Sequence, residues 1–165
     1  MPTWLKWTTI AVALAAGAAL LAANAAGLFA SAPVFSTTNG AIDGYDPVAF
    51  HLDGKPTPGD PAITRTWRGA TWRFASAANR QRFDADPERY APAYGGYCAY
   101  AMAGDYTANG DPLAFTVHGG RLFLNFDTDT RAAWLAERDA RIEASDRNWP
   151  GSRPAKSLAT LDPDS

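Results

Sequence analysis

Cysteine is nearly absent from the sequence, which has one, Cys98, among 165 residues. One thiol cannot close a disulfide within the chain, so hydrophobic packing has to hold the fold together. An excess of positive charge is also lacking, since the formal net charge is −2 and the pI is about 5.6. Nucleic-acid-binding domains carry a clear basic patch, and we therefore exclude nucleic acid as a partner.

Charge is missing from most of the N-terminal region, where Lys6 is the only charged residue in the first 40 positions. The segment from Thr8 to Ala32 is uncharged and contains little polarity. Residues 1–32 are therefore predicted to be a signal peptide or a retained transmembrane anchor, and both alternatives stay open. We expect a periplasmic protein, or one anchored to the inner membrane with its folded part facing the periplasm; the membrane is a partner if the segment is uncleaved.

Changes in composition divide the remaining chain into three parts. Residues 33–40 are predominantly polar and are predicted to form a linker. Residues 41–150 contain most of the aromatic side chains and form the predicted domain. Residues 151–165 have no aromatic residue and no hydrophobic periodicity, which predicts a disordered tail.

Turn residues and alternating hydrophobic residues predict two β-hairpins in the domain. The first runs from Thr64 to Phe74, with its strands divided at Gly69-Ala70. The second runs from Ala114 to Phe126 around a two-residue Gly119-Gly120 turn. That turn predicts the cross-strand pairs Val117 with Leu122, Phe115 with Leu124 and His118 with Arg121.

Capping residues predict helices between and after the hairpins. Asp46-Pro47 and Asp86-Pro87 combine an N-cap with proline at the first helical position, and Ser76 is a further N-cap. A long helix is predicted over residues 128–147. The fold class is therefore α+β, a small antiparallel sheet of two hairpins with two to three helices, preceded by an N-terminal hydrophobic helix. The predicted core contains Trp72, Phe74, Phe83, Leu122 and Leu124.

Several phrases of the domain, taken in order, resemble a YHS domain. They are GYDPVAF at 44–50, TWRFASAANRQRF at 71–83 and DPERY at 86–90. The stretch APAYGGYCAYAM at 91–102 and the phrase DRNWP at 146–150 are similar to the exported bacterial branch of that family. The resemblance covers about residues 41–150 and implies the fold.

The same resemblance bears on metal binding. YHS domains occur in heavy-metal and copper-transporting P-type ATPases, and the metal-binding forms carry cysteines in these phrases. The matching positions here are Ala49, Ala75 and Asn79, none of which supplies a thiolate. The resemblance therefore does not transfer the metal site of the family to this chain.

The tyrosine-rich segment is the candidate binding surface. Five of the six tyrosines lie between Tyr90 and Tyr106, around Gly95-Gly96 and Cys98. Aromatic rings with hydroxyl tips suit a cleft for a small ligand or a contact with another envelope protein. The alternative is a tight turn packed into the core. The candidate ligand-binding residues are Tyr45, Tyr94, Gly95, Gly96, Tyr97, Cys98 and Tyr100.

Cys98 supports two further hypotheses. Its thiolate, with the thioether of Met102 and the imidazole of His51, would suit copper in the Cu(I) state. As a nucleophile, Cys98 would need His51 or His118 as a base, and no spacing identifies a residue that orients that base. Core packing accounts equally well for a lone cysteine and a methionine. We expect a non-enzymatic binding module without catalytic residues, with copper binding as the alternative and a cysteine-dependent enzyme as a weaker one.

Overall fold

The computed structural model describes residues 33–149 and the backbone of residues 156–157. The predicted signal peptide or anchor, residues 1–32, lies outside the described residues, as does most of the predicted tail. Among the described residues, no helix is long and apolar enough to cross a membrane.

Short helices and two-stranded sheets alternate along the described chain, which confirms the predicted α+β class. The two predicted hairpins, β3–β4 and β6–β7, form separate antiparallel sheets, and β5 pairs with β8 in parallel. The elements are β1 (Ser36–Thr37), β2 (Gly40–Ala41), a 3₁₀ turn (Ile42–Gly44), α1 (Pro47–Leu52), β3 (Asp60–Trp67), β4 (Ala70–Phe74), α2 (Ala77–Ala85), α3 (Pro87–Tyr90), a 3₁₀ turn (Ala93–Gly96), α4 (Ala99–Ala103), β5 (Tyr106–Thr107), β6 (Asp111–His118), β7 (Arg121–Asn125), α5 (Thr128–Ala136), α6 (Arg138–Asn148) and β8 (Lys156–Ser157).

The predicted N-caps start the first three helices. Asp46 accepts a hydrogen bond from the N–H of Val48 at 2.8 Å at the start of α1. Ser76 Oγ accepts from the N–H of Asn79 at 3.1 Å at the start of α2. The side chain of Asp86 caps α3 in the same way. Each cap satisfies a backbone donor that the first helical turn leaves unpaired.

The second hairpin has the predicted register. Phe115 lies opposite Leu124, and the remaining predicted pairs are present as well. The Gly119-Gly120 turn has φ values of 58° and 76°, the left-handed conformation that a type I′ hairpin turn requires and that glycine adopts without steric cost.

Two predicted boundaries differ from the structure. The turn of the first hairpin is Arg68-Gly69, because Trp67 pairs with Ala70. The helix predicted over 128–147 is two helices, α5 and α6, which separate at Glu137, whose φ of −131° is not helical. In each case hydrophobic spacing located the element, and the local backbone conformation decided where it ends.

The segment predicted to be a linker, residues 33–40, is packed onto the domain. Val34 is buried in the core, and the N–H of Phe35 donates to the carbonyl oxygen of Gly95 at 2.8 Å. Two residues of the segment form β1, which pairs with β2. Its polar composition predicted an exposed segment. The buried Val34 and the hydrogen bond from Phe35 instead hold it against the domain.

Strand β7 lies between two hydrophobic cores. Successive side chains of a strand point to opposite faces. Leu122 and Leu124 pack into the first core, whereas Phe123 between them packs into the second. The first core also contains Phe50, Trp72, Phe74 and Phe83, and the second contains Tyr94, Met102 and Trp134. All five predicted core residues are fully buried.

Phe83 is expected to be a major contributor to stability. Its ring lies 5.2 Å from the rings of Trp72 and Phe74 and 5.6 Å from that of Trp67. Phe83→Ala should lower the free energy of unfolding by about 3–5 kcal/mol in denaturant titrations, because it leaves a cavity among these rings. The exposed neighbour Gln81 offers the control, since Gln81→Ala should change stability by less than about 0.5 kcal/mol. A loss below about 1 kcal/mol for Phe83→Ala would contradict this packing.

Candidate functional site

The tyrosine segment turns sharply between α3 and α4. Tyr94, Gly95 and Gly96 all have positive φ values, of 56°, 63° and 86°. A side chain at Gly95 would collide with the carbonyl oxygen of Pro33, so this position requires glycine for two reasons. The turn directs successive parts of the segment to different sides of the domain.

Two cavities border this segment. The first, which we call the thiol cavity, has a volume of about 420 Å³ and is lined by Cys98, Tyr100, Ala101, Tyr106, Ala108, Phe126, Asp129, Thr130 and Ala133. The second, the arginine cleft, has a volume of about 490 Å³ and is lined by Arg68, Glu88, Arg89, Ala91, Pro92, Ala93, Tyr94, Gly95, Gly120, Arg121, Asp146 and Trp149.

Cys98 forms part of the wall of the thiol cavity. It precedes α4, and its N–H donates to the carbonyl oxygen of Ala108 at 2.9 Å. Its side chain is 1% exposed, and Sγ lies 4.0 Å from Oδ1 of Asn125. Burial raises the pKa of the Cys98 thiol. The group is therefore a neutral thiol at neutral pH, the less reactive form of cysteine.

Asn125, at the end of β7, is a buried polar residue that sequence reasoning missed. Its Oδ1 accepts a hydrogen bond from the N–H of Tyr100 at 3.2 Å and holds the start of α4 to the strand. Its Nδ2 has no hydrogen-bond partner among the described residues. The sequence signal was a polar residue that continues the apolar run Leu122–Leu124.

Arg141 of α6 holds one tyrosine of the thiol cavity in place. Its guanidinium lies 3.9 Å from the ring centroid of Tyr100, a cation–π contact, and is paired with Glu137 at 2.7 Å. Burial raises the pKa of the nearby Tyr106 phenol. The cavity wall thus presents the phenols of Tyr100 and Tyr106, a neutral thiol and the carboxylate of Asp129. Arg141 carried no signal in the sequence, because α6 is rich in charged residues.

Tyr94 takes part in a charged network at the arginine cleft. Its hydroxyl donates to Asp146 Oδ1 at 2.8 Å, and the two terminal nitrogens of Arg121 donate to the same carboxylate at 3.0 and 2.8 Å. Hydrogen bonds from Arg121 hold the pKa of the Asp146 carboxyl below its usual value. Burial raises the pKa of Tyr94, and the hydrogen bond to Asp146 raises it further. This network connects the tyrosine segment to β7 and α6.

The candidate ligand-binding residues are therefore distributed between two sites. Cys98 and Tyr100 line the thiol cavity, whereas Tyr94 and Gly95 line the arginine cleft. The other three line neither cavity: Tyr45 packs on the first core, Gly96 lies against Ile42 and Pro92, and the ring of Tyr97 packs against Phe35 and Trp149.

The proposed copper donors lie in different surroundings. Met102 is one helical turn after Cys98, but its side chain is buried in the second core. His51 packs edge-on against Tyr90, which belongs to the first core, at a centroid distance of 5.6 Å. Burial lowers the pKa of His51. Within residues 33–149, no group of three or more His, Cys, Asp or Glu side chains is placed to hold a metal ion.

The other histidine, His118, lies at the end of β6. Its Nε2 is 3.7 Å from Oδ1 of Asp139; the His118 side chain is partly exposed and that of Asp139 is largely exposed to solvent. It lines a small surface pocket with Asp139 and is not among the residues that line the thiol cavity with Cys98.

The carboxylate of Asp46 organises the beginning of the domain. The N–H groups of Val48 and Ala49 donate to Oδ1 at 2.8 and 3.4 Å. The N–H of Ala75 and the side-chain amide of Asn79 donate to Oδ2 at 2.8 and 2.7 Å. Ala49, Ala75 and Asn79 thus all donate to one buried carboxylate.

Comparisons of the chain with protein-family models, with curated proteins and with solved structures found no match.

Removal of the Asp46 carboxylate should strongly destabilise the domain. Asp46→Ala leaves four donors without their acceptor inside the protein, and each buried unsatisfied group costs about 1–3 kcal/mol. We expect a loss of at least about 3 kcal/mol in the free energy of unfolding. Asp53→Ala, at the exposed end of the same helix, is the control and should stay within about 0.5 kcal/mol of the native chain. Equal effects of the two substitutions would contradict an organising role for Asp46.

Alkylation should report the burial of Cys98. Iodoacetamide reacts with thiolate, and a buried thiol with a raised pKa should react at least about tenfold more slowly than an exposed one. The comparison is Thr128→Cys in a Cys98→Ala background, which places the thiol at an exposed position on α5. Mass spectrometry should find full modification of Cys98 only after denaturant is added. Equal rates for the two folded proteins would show that the Cys98 thiol is accessible.

Proposed function

We propose that this chain is a non-enzymatic binding module of YHS type, exported to the cell envelope, that takes a small and mainly apolar ligand into the thiol cavity. The observation that supports this proposal is the thiol cavity itself. It has a volume of about 420 Å³, and the aromatic side chains of Tyr100, Tyr106 and Phe126 lie on its wall. Ligand sites of this kind are concave, largely apolar and contain few polar groups.

The wall of the cavity favours a particular ligand chemistry. Phe126 is 54% exposed although it borders the cavity, which places an apolar surface where a ligand or a partner protein would enter. The phenols of Tyr100 and Tyr106, the hydroxyl of Thr130 and the carboxylate of the exposed Asp129 are the groups available for hydrogen bonds. A flat, neutral ligand with an apolar body and one hydrogen-bonding group matches this set.

Binding is favoured over catalysis by the state of the thiol. A cysteine nucleophile needs a lowered pKa or an adjacent base. Burial instead raises the pKa of Cys98, and its thiol contacts the amide oxygen of Asn125 rather than a base. A cysteine-dependent reaction therefore has less support than binding.

Family membership and location rest on the sequence. The YHS-like phrases supply all four donors to the Asp46 carboxylate, which supports a shared structural role for these positions. The apolar N-terminal segment supports export, either with cleavage or as an inner-membrane anchor. An envelope protein is the alternative occupant of the apolar surface near Phe126.

Copper binding by Cys98, Met102 and His51 remains the alternative function. It is supported by the position of Cys98 on a cavity wall. The burial of Met102 in the second core and the packing of His51 on Tyr90 mean that both donors would have to move to reach one ion. The copper content of protein purified from the periplasm distinguishes this alternative from an organic ligand.

Filling the thiol cavity should weaken ligand binding. Ala133 is an exposed residue of α5 that lines the cavity, and its neighbour Ala132 is exposed but does not line it. In calorimetric titrations of the full chain with indole, a flat neutral probe, we expect saturable binding by the native chain. Ala133→Phe should weaken that binding at least about fivefold, because the added ring occupies the site. Ala132→Phe should bind as the native chain does.

Two outcomes would contradict this proposal. One is an absence of saturable binding of indole and of the larger neutral dye Nile red to the native chain. The other is equal binding by Ala133→Phe and Ala132→Phe, which would place the probe elsewhere. Unfolding curves of both variants should resemble that of the native chain, since both added rings begin at exposed positions.

A further inference from the structure

The arginine cleft gathers three guanidinium groups from separate elements. Arg68 lies in the turn of the β3–β4 hairpin, Arg89 lies in α3 and Arg121 begins β7. The cleft also contains the carboxylates of Glu88 and Asp146. Three positive and two negative groups leave one positive charge unbalanced, on a chain whose formal net charge is negative.

Each of these guanidinium groups lies over an aromatic ring. Arg68 lies 4.6 Å from the ring centroid of Trp67, and Arg89 lies 5.7 Å from that of Tyr90. Arg121 lies 5.0 Å from the ring centroid of Phe123 and contacts Tyr94 as well. Stacking restricts the long side chains before any ligand arrives, so less conformational entropy is lost on binding.

The arginines retain donors that could serve a ligand. A guanidinium has five N–H donors. Arg121 uses its two terminal nitrogens to bind Asp146, and Arg68 uses one to bind Glu88 at 2.7 Å. Arg89 forms no ion pair with any residue of the described range 33–149. Its planar fork matches the geometry of a carboxylate or phosphate.

The backbone places two of the lining side chains at a conformational cost. Arg68 and Tyr94 have φ values of 49° and 56°, a region that non-glycine residues rarely adopt. The first position of a type I′ turn favours asparagine, aspartate or glycine, yet an arginine occupies it here. Strained backbone of this kind concentrates at functional sites. The fold therefore tolerates strain where it presents these side chains to the cleft.

We propose that the arginine cleft is a second binding site, separate from the thiol cavity, for a small molecule bearing a carboxylate or phosphate group. The oxyanion is received by the unpaired guanidinium of Arg89, with the remaining donors of Arg68 and Arg121 beside it. The carboxylates of Glu88 and Asp146 orient their arginines and accept hydrogen bonds from hydroxyl groups on the ligand. The half-buried ring of Trp149 borders the site.

Calorimetric titration of the full chain at low ionic strength tests this site. The probes are inorganic phosphate and citrate, with chloride at matched ionic strength as the baseline. We expect saturable binding of at least one probe, weakened by added salt because charges on the protein surface are screened. Binding of phosphate alone assigns a phosphate ligand, binding of citrate alone assigns a carboxylate ligand, and binding of both supports the shared oxyanion chemistry.

Matched variants distinguish binding at a specific site from general attraction of anions to positive charge. Arg89→Ala should weaken binding by about tenfold or more, because a hydrogen bond to a charged group is lost. Arg147→Ala removes the same charge from the exposed face of α6 outside the cleft and should change the affinity by less than about twofold. Arg89→Lys keeps the charge but not the planar fork, so its affinity should fall between those of the native chain and Arg89→Ala.

The proposal is overturned if neither anion binds above the chloride baseline, or if Arg147→Ala weakens binding as much as Arg89→Ala. Arg68→Ala is the second variant, to be used if Arg89→Ala lowers the melting temperature, and it should also weaken binding. Ala133→Phe, which fills the thiol cavity, should leave anion affinity unchanged. That result keeps this site distinguishable from the proposed apolar site, and either one can fail alone.

Discussion

Burial of β7 on both faces is the constraint on which the rest of the structure depends. Hairpin pairing leaves its two faces for other elements, and each face packs against a different core. Leu122 and Leu124 join the hairpin to the aromatic cluster around Phe83, while Phe123 joins it to Trp134. A strand with one exposed face would leave one of the two cores incomplete. The helices around Tyr94 and Trp134 would then lose the apolar surface on which they pack.

The same strand also positions both candidate sites. Arg121 at its beginning lines the arginine cleft, and Asn125 at its end holds the first turn of α4 beside the thiol cavity. Five residues of strand span about 16 Å, so the two ends present different environments. Ion pairs and aromatic stacking surround Arg121, whereas phenols and a neutral thiol lie near Asn125. One short strand therefore separates a site rich in ion pairs from a mainly apolar one.

Local chemistry explains which parts of the fold were predictable. N-caps at Asp46 and Ser76 and the Gly119-Gly120 turn depend on neighbouring residues alone, and each was predicted correctly. The packing of Val34 depends on contacts with distant elements, and the non-helical backbone at Glu137 interrupts a helix that hydrophobic spacing predicted to be continuous; both were missed. The seven candidate ligand residues came from one continuous segment plus Tyr45. Their proximity in the sequence did not predict how they would be distributed around the sharp turn at Gly95. Two of them line each cavity, and three line neither.

The sequence by itself determined the α+β class, the register of the second hairpin, the capped helix starts and the core rings, because these follow from hydrophobic periodicity and short-range hydrogen bonds. Only the tertiary structure decided that Asp46 would bind two groups from a distant phrase and that three arginines from separate elements would meet in one cleft. It also decided that Cys98 would lie beside Asn125, away from the ring contact of His51 with Tyr90. Those placements depend on how the two cores pack on β7, and no local spacing in the chain encodes them.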